Sequence, residues 1–251
     1  MPSSKIKISV VSYLNSLPFI YGIEQSELAK EIFLERDTPS LCAEKLLNNK
    51  TDIGLVPVAV LPKLKNYILL SDYCIGAEGP VKSVALFSNT PLQKIKKILL
   101  DHESRTSIQL TQVLAKHFWK INVEWINADK NYETQISGST AGLIIGDRAL
   151  QQKNKFKYTY DLAEEWIKFT GLPFVFACWA TNKNLPDGFI KKFNTAIQYG
   201  VNNKNKSLDS FAHSFINEKQ AVAYITKHIS YDLNEQKKKG LKIFLNYAAQ
   251  L

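Results

Sequence analysis

Side chains able to do chemistry gather first at Ser12-Tyr13-Leu14-Asn15-Ser16-Leu17-Pro18, directly after the strand-like run Lys5-Ile6-Lys7-Ile8-Ser9-Val10-Val11. A strand that hands hydroxyls and an amide to a turn is how α/β folds build ligand sites at the carboxyl ends of their strands. Ser12, Tyr13 and Asn15 are neutral hydrogen-bonders, suited to orienting a small ligand rather than attacking it. A second group, Asp101-His102-Glu103-Ser104-Arg105-Thr106-Ser107, places hydroxyls and an arginine at a strand-to-helix junction. Free amides at a helix start, helped by the helix dipole, attract carboxylates and phosphates, and Ser or Thr hydroxyls extend the cradle. Ser104 as a plain N-cap and Arg105 as a solvated side chain explain the same string equally well on composition. Asp147-Arg148, after Ile144-Ile145-Gly146, is a comparable strand-end pair, readable as an internal ion pair, a ligand contact or both.

Beyond these strings the reactive inventory is sparse. The four histidines, His102, His117, His213 and His228, show no paired spacing, and no His-Glu-x-x-His stretch or Cys/His cluster offers a metal site. His117 and His228 fall late in expected helices, where they favour the negative end of the dipole. No Gly-x-Gly-x-x-Gly follows the first strand and no Gly-x-x-x-x-Gly-Lys-Ser/Thr occurs, so nucleotide-dependent chemistry has no support. Cys42, Cys74 and Cys178 are scattered and odd in number, which suits buried thiols in a reducing compartment.

The elements that must position these groups come from 251 residues, 45% hydrophobic and 22% charged, enough for one large domain or two modest ones, each with its own core. No apolar run approaches the roughly 20 residues that span a bilayer. Met1-Pro2-Ser3-Ser4 leads straight into the first strand without the parts of a signal peptide, so a cytoplasmic protein without a membrane partner is expected. The formal charge of +9 invites a nucleic-acid reading, but the lysines are diffuse. Lys237-Lys238-Lys239 is their tight run and reads as the solvated face of a surface helix, and no aromatic-and-basic platform for RNA accompanies it. The positive field is left to favour small anionic ligands. Oligomeric state is not legible.

Strands and helices alternate, as in a mostly parallel sheet. Glu31–Glu35 and Thr51–Val58 are expected strands, the latter ending at Pro57; Thr38 or Ser40 caps a helix from about Leu41 to Asn48, with Pro39 near its first turn. Tyr67–Leu70 continues the sheet and Cys74–Pro80 breaks it. Val81–Ser88, Lys97–Asp101, Val123–Ile126 and Gly142–Gly146 read as strands, with a helix from Ser104 to about Trp119. Gly79-Pro80 and Gly171-Leu172-Pro173 each lead into an apolar strand and read as two crossings between lobes. The expected division is a discontinuous first lobe, residues 1–82 plus 173–251, and an inserted second lobe, 83–172. Helices are expected over about Gly188–Val201, Ser207–His228 and Leu233–Ala249, with Phe189, Phe193 and Ile197 at helical spacing. Two α/β lobes joined by two crossings enclose a cleft, a preferred place for a small-molecule site.

Taken in order, Ser12–Pro18, Asp52-Ile53-Gly54-Leu55-Val56-Pro57-Val58, Gly79-Pro80-Val81-Lys82-Ser83-Val84, Ser104–Ser107, Ile145-Gly146-Asp147, Tyr160-Asp161-Leu162-Ala163-Glu164-Glu165-Trp166 and Gly171–Ala177 resemble the chorismate dehydratases of the futalosine route to menaquinone. The resemblance runs from the first strand to about Ala180; the C-terminal helices carry no distinctive motif. It implies a two-lobe, type II periplasmic-binding-protein-like fold and the loss of water from chorismate to give 3-[(1-carboxyvinyl)oxy]benzoate, with no metal or organic cofactor. Ala163 stands where the family often has Gly, and Glu78 stands where a shorter side chain such as Asp is expected.

On that resemblance, Asn15 and Ser83 are expected to meet across the cleft as the catalytic pair. Asn15 hydrogen-bonds the substrate where the proton moves, and Ser83 holds a carboxylate or the leaving hydroxyl. A neutral Asn is no strong base, so a substrate carboxylate is expected to take the proton. Ser104, Arg105, Thr106 and Ser107 are assigned to a substrate carboxylate, Lys82 and Arg105 to the field that favours a dianion, and Ser12, Tyr13, Thr38 and Ser40 to ligand contacts. Asp147 is read as support for the site rather than as a catalyst. Two rivals stand: the sister enzyme that makes 1,4-dihydroxy-6-naphthoate, expected to use a histidine base, and a non-catalytic solute-binding protein for a small anion.

Overall fold

β1 (Ile6–Val11) is buried on both faces along its second half, as a central strand covered by helices must be. The computed structural model, which describes residues 5–152, 154–209 and 216–251, continues it through a 3-10 turn at Leu14–Ser16 into α1 (Leu17–Glu24). Pro18 sits in the first turn of α1, where its missing N–H has no partner to lose. β2 (Ile32–Asp37), α2 (Pro39–Leu47) and β3 (Ile53–Pro57) repeat the strand, turn and helix unit, and β4 (Ile68–Ala77) follows. Then β5 (Val84–Ser88), β6 (Lys97–Leu100), α3 (Thr106–Val113), β7 (Glu124–Asn127), β8 (Thr140–Ile145), α4 (Gly146–Leu150), β9 (Tyr158–Asp161) and α5 (Leu162–Thr170) form a second unit. β10 (Phe174–Thr181) returns the chain to the first, completed by α6 (Asp187–Asn202), α7 (Glu218–Ala223), β11 (Ser230–Asp232) and α8 (Glu235–Ala248).

The result is two α/β lobes, each with its own sheet. The first sheet has the order β11-β4-β10-β3-β1-β2 and the second β7-β6-β8-β5-β9. β1, β2 and β3 are parallel, with β10 antiparallel between β3 and β4; β6 is parallel to β7 and β8, with β5 antiparallel between β8 and β9. Ala77 pairs with Phe174, so the chain leaves and re-enters the first lobe side by side.

Several local expectations change. Cys74–Ala77 does not break the sheet, because β4 runs through Gly76 and bulges in the β4/β10 ladder absorb the irregularity. A Cβ on Gly76 would stand 2.9 Å from the Phe174 carbonyl oxygen, so the glycine permits this close approach rather than ending the strand. The helix expected over 207–228 is not continuous: a 3-10 turn covers Lys204–Leu208, residues 210–215, including His213, lie outside the described residues, and α7 starts afresh. Its restart has a local cause, since the Asn217 and Gln220 side chains each take the other's backbone N–H in a capping box. β11 was not expected; three residues carry no readable period.

Lys237 overturns the solvated-face reading of the lysine run. It is fully buried, with Nζ 2.7 Å from Glu78 Oε1, 2.5 Å from Ser230 Oγ and 2.7 Å from the Asp232 carbonyl oxygen, while Lys238 and Lys239 stay exposed. The half-exposed Glu78 thus ties the first crossing to α8 rather than edging the cleft. Nor does each lobe keep its own core: one apolar cluster runs from Ile8, Val10 and Leu55 through Val84 and Leu86 to Leu143 and Ile145, with a small satellite around Phe87 and Tyr132. Trp166 of α5 stands edge-on to Phe174 and Phe244 within this shared core. The three cysteines are buried and unpaired, and burial pushes the Cys42 and Cys74 thiols up to about 12, outside the reactive range. Finally, α1 lies directly on α6. A Cβ on Gly22 would fall 2.1 Å from the Ala196 carbonyl oxygen, and one on Gly200 would fall 1.8 Å from that of Pro18.

Candidate active site

The parallel strands of both sheets direct their carboxyl ends toward the seam between the lobes. There a cavity of about 60 Å³ is walled by Val11, Pro39 and Pro57 on one side and by Val84, Ile145 and Gly146 on the other. Asn15, Ser83, Tyr13 and the Ser104–Ser107 helix start all line it.

Asn15 sits on the 3-10 turn after β1 and is nearly buried. Its Oδ1 accepts the Ser16 hydroxyl at 3.1 Å, and its backbone oxygen accepts the Tyr231 phenol at 2.9 Å. Its Nδ2 has no protein acceptor among the described residues, which leaves two donor hydrogens for a ligand. Ser83 is aimed by a bend in the crossing. Lys82 adopts a left-handed backbone (φ +66°), held because the Val81 and Lys82 N–H groups donate to Asp161 at 3.1 and 2.7 Å. The same carboxylate caps α5 by accepting from Ala163 and Glu164, so one side chain bends the crossing and starts the helix. Burial pushes the Asp161 carboxyl above its ordinary range, and these N–H groups oppose the shift.

At the helix start, the Thr106 hydroxyl is fully committed to the protein and the Ser104 oxygen in part. Ser104 Oγ accepts the Ser107 N–H at 3.1 Å; Thr106 Oγ1 donates to the Phe176 carbonyl at 3.0 Å and accepts the Ala59 N–H at 3.3 Å. The side-chain role expected for Thr106 is therefore replaced by bracing of β10. What remains without protein partners among the described residues is the Arg105 and Thr106 N–H groups, the Ser104 hydroxyl hydrogen, the Ser107 hydroxyl and the exposed Arg105 guanidinium. Tyr13 presents its ring rather than its hydroxyl, which donates to Glu103 of the other lobe. That ring lies over Gly146 (φ +63°), where a Cβ would stand 2.6 Å from Tyr13 Cε2, so this position needs glycine for both conformation and space.

Four expected ligand contacts fall outside the lining. Ser12 is exposed, with its N–H on the Asp37 carbonyl. Thr38 and Ser40 place their hydroxyls 3.3 Å from each other, and only Pro39 between them reaches the cavity. Lys82 is turned by its left-handed bend toward an open groove of about 550 Å³ behind the crossing. The pair at the end of β8 separates: Arg148 goes to Asp101 at 2.7 Å and to Glu133 at 2.9 Å, while Asp147 reaches across the seam to the Leu14 N–H at 3.2 Å.

Asp147 has no cationic partner among the described residues, and burial pushes its carboxyl up to about 6 against the Leu14 N–H. The native state then holds this proton more tightly than the unfolded chain, whose Asp titrates near about 4. Its contribution to stability is full below about pH 4 and is lost as pH rises through about 6. In denaturant titrations, the stability of Asp147→Asn relative to the natural chain is expected to rise between pH 4 and pH 7. A gap that stays constant across that interval would sink the assignment.

Two residues that hold Asn15 and Ser83 were missed in the sequence. Tyr231 of β11 holds the Asn15 backbone, and Tyr224 donates its phenol to Ser83 Oγ at 2.7 Å. Seven residues apart in a stretch without a motif, they give no signal in sequence. His228, with Nδ1 2.9 Å from the Pro80 oxygen, lines the groove rather than the cavity. Among the described residues, no three or more His, Cys, Asp or Glu gather as metal ligands would, and no helix is long and apolar enough to cross a membrane.

Residues 6–250 match a family model described as menaquinone biosynthesis. A chorismate dehydratase from Thermus thermophilus is 25% identical over 225 residues, spanning 79% of this chain and 80% of that protein. A crystal structure of a protein from Archaeoglobus fulgidus superposes with a TM-score of 0.80 at 15% identity, covering 99% of this chain and 98% of the other. A Candida albicans protein described as having the generic periplasmic binding protein fold gives 0.64 at 14% identity, covering 99% and 91%. At such identities the structures speak for the fold alone: two lobes of the type II periplasmic-binding-protein kind around an interlobe cleft.

Proposed function

The chain belongs to the menaquinone biosynthesis family, and from that premise we propose that it dehydrates chorismate to 3-[(1-carboxyvinyl)oxy]benzoate. The observation that carries this reading is the cavity's chemistry. Its lining offers neutral donors and one guanidinium, with no carboxylate or imidazole among the described lining residues. Such a site can hold a dianion and steady departing oxygen, yet it brings no protein base. Chorismate supplies what is missing. The proton on the ring carbon bearing the enolpyruvyl ether passes to a substrate carboxylate, and the C–H electron pair becomes the new ring double bond. The neighbouring C–O bond breaks with its pair on oxygen, which takes that proton and leaves as water. The ring becomes aromatic, and no oxidant is needed.

In this mechanism Asn15 Nδ2 and the Ser83 hydroxyl stabilise the charge that moves between carboxylate and leaving oxygen, which is electrostatic catalysis by fixed dipoles. The Arg105 and Thr106 amides, the Ser107 hydroxyl and the Arg105 guanidinium bind a carboxylate. The cavity is far below the roughly 300 Å³ at which small-molecule sites begin. Substrate access therefore requires the lobes to part, with division at 82/83 and 172/173. Purified protein incubated with chorismate should yield the aromatic product by absorbance and mass. Binding without product would instead favour a solute-binding protein. The sister enzyme's histidine base has no counterpart among the described lining residues.

A further inference from the structure

Tyr224 opens a turn of π-helix, Tyr224–His228, that presses the C-terminal region against the first crossing. Its side chain is 2% exposed and forms part of the wall between the cavity and the 550 Å³ groove, lining the groove on one side and bonding the cavity's Ser83 on the other. The direction of that bond matters. The phenol donates to Ser83 Oγ, so the serine hydrogen must point elsewhere, and among the described residues no protein acceptor receives it. Ser83 Oγ keeps its place at the cavity wall, and the open direction is the cavity itself. Burial keeps the phenol protonated throughout the ordinary pH range, and it serves as a standing donor.

We propose that Tyr224 is a positioning residue for the reaction, fixing the Ser83 hydroxyl in one rotamer with its hydrogen facing the cavity, so that Ser83 meets the substrate as a donor. This rests on the dehydration reading, in which a donor at that point stabilises the departing oxygen and an acceptor would oppose it. A freely turning serine would divide its time between the two roles. Tyr224 occupies one lone pair and so biases the hydroxyl toward the donor role without touching the substrate.

The test combines kinetics with structure. Tyr224→Phe keeps the ring that divides cavity from groove and deletes only the donor. Its kcat on chorismate is expected to fall on the order of 10- to 100-fold, as misorientation in an active site costs, with KM changed by less than about threefold. In a Ser83→Ala background the same substitution should cost nothing further, because its route of action is gone. A purely structural tyrosine would instead add its full effect there. A crystal structure of Tyr224→Phe decides the point independently of turnover: the Ser83 side chain is expected to leave its rotamer or occupy two. An unchanged Ser83 rotamer, or wild-type kcat in the single variant, overturns the proposal. Absence of chorismate turnover in the unmodified protein would overturn the dehydration reading, and the Ser83 rotamer would still decide the role of Tyr224.

Discussion

Asn15→Ala is expected to lower kcat/KM for chorismate by about 100- to 1,000-fold, the usual cost of deleting one fixed donor from a site that works by charge stabilisation. Asn15 offers two amide hydrogens to the cavity, and its backbone is pinned by Tyr231, so the chain should not rearrange to replace them. Asn15→Asp is the sharper test. It preserves shape but turns the donors into acceptors and sets a negative charge against a dianion; its loss should equal or exceed that of alanine. Ser83→Ala should cost a comparable factor in turnover. It also leaves the buried Tyr224 phenol without an acceptor, a penalty of about 1–3 kcal/mol in stability. Steady-state kinetics beside thermal melts separate the two effects. Wild-type turnover in Asn15→Ala and Ser83→Ala would remove both residues from the mechanism.

The largest structural effect is expected at a methyl group far from the chemistry. Gly200→Ala places Cβ where the Pro18 carbonyl oxygen already lies, only 1.8 Å away. Both partners are backbone, so α1 and α6 must separate. Overpacking of this kind costs about 1–3 kcal/mol and occasionally more; for a chain of this length that is a fall in Tm of roughly 2–12 °C. Because α1 begins two residues after Asn15, turnover should fall as well. Gly188→Ala is the control within the same helix: nothing lies within 4 Å of its Cβ, and the substitution should be neutral or stabilising by up to about 1 kcal/mol. Equal melting temperatures for the two variants would mean that α1 and α6 do not meet as described.

Most of the lobe architecture was legible in sequence because its signals are local. Apolar runs bounded by Gly and Pro marked β1, β3, β5, β8 and β10, and helical spacing of Phe189, Phe193 and Ile197 marked the buried face of α6. What escaped depends on contacts distant in the chain. β11 is three residues long and exists because β4 offers an edge; Lys237 turns inward because Glu78, Ser230 and Asp232 converge on it. No pattern within the lysine run distinguishes it from its neighbours.

The site divides the same way. Asn15, Ser83, Arg105 and Ser107 lie in turns and at a helix start next to strands that the sequence marks, and they line one cavity. Thr106 lies there too, but its hydroxyl serves the protein, which residue type alone cannot reveal. Ser12 and Lys82 are sequence neighbours of lining residues that backbone geometry turns away, the latter through its left-handed bend.

The position of β10 between β3 and β4 sets a timetable for synthesis. When β4 has left the ribosome, the strand that must lie beside it is not yet made; Ala77 waits for Phe174. At roughly 5–20 residues per second the wait is on the order of ten seconds, and two open strand edges stand exposed meanwhile. The second sheet, contiguous in sequence, can close during that interval and shorten the chain that must later be looped back. Asn15 and Ser83 are translated well before the tyrosines that hold them, Tyr231 and Tyr224. The nascent chain therefore carries Asn15 and Ser83 long before it can align them.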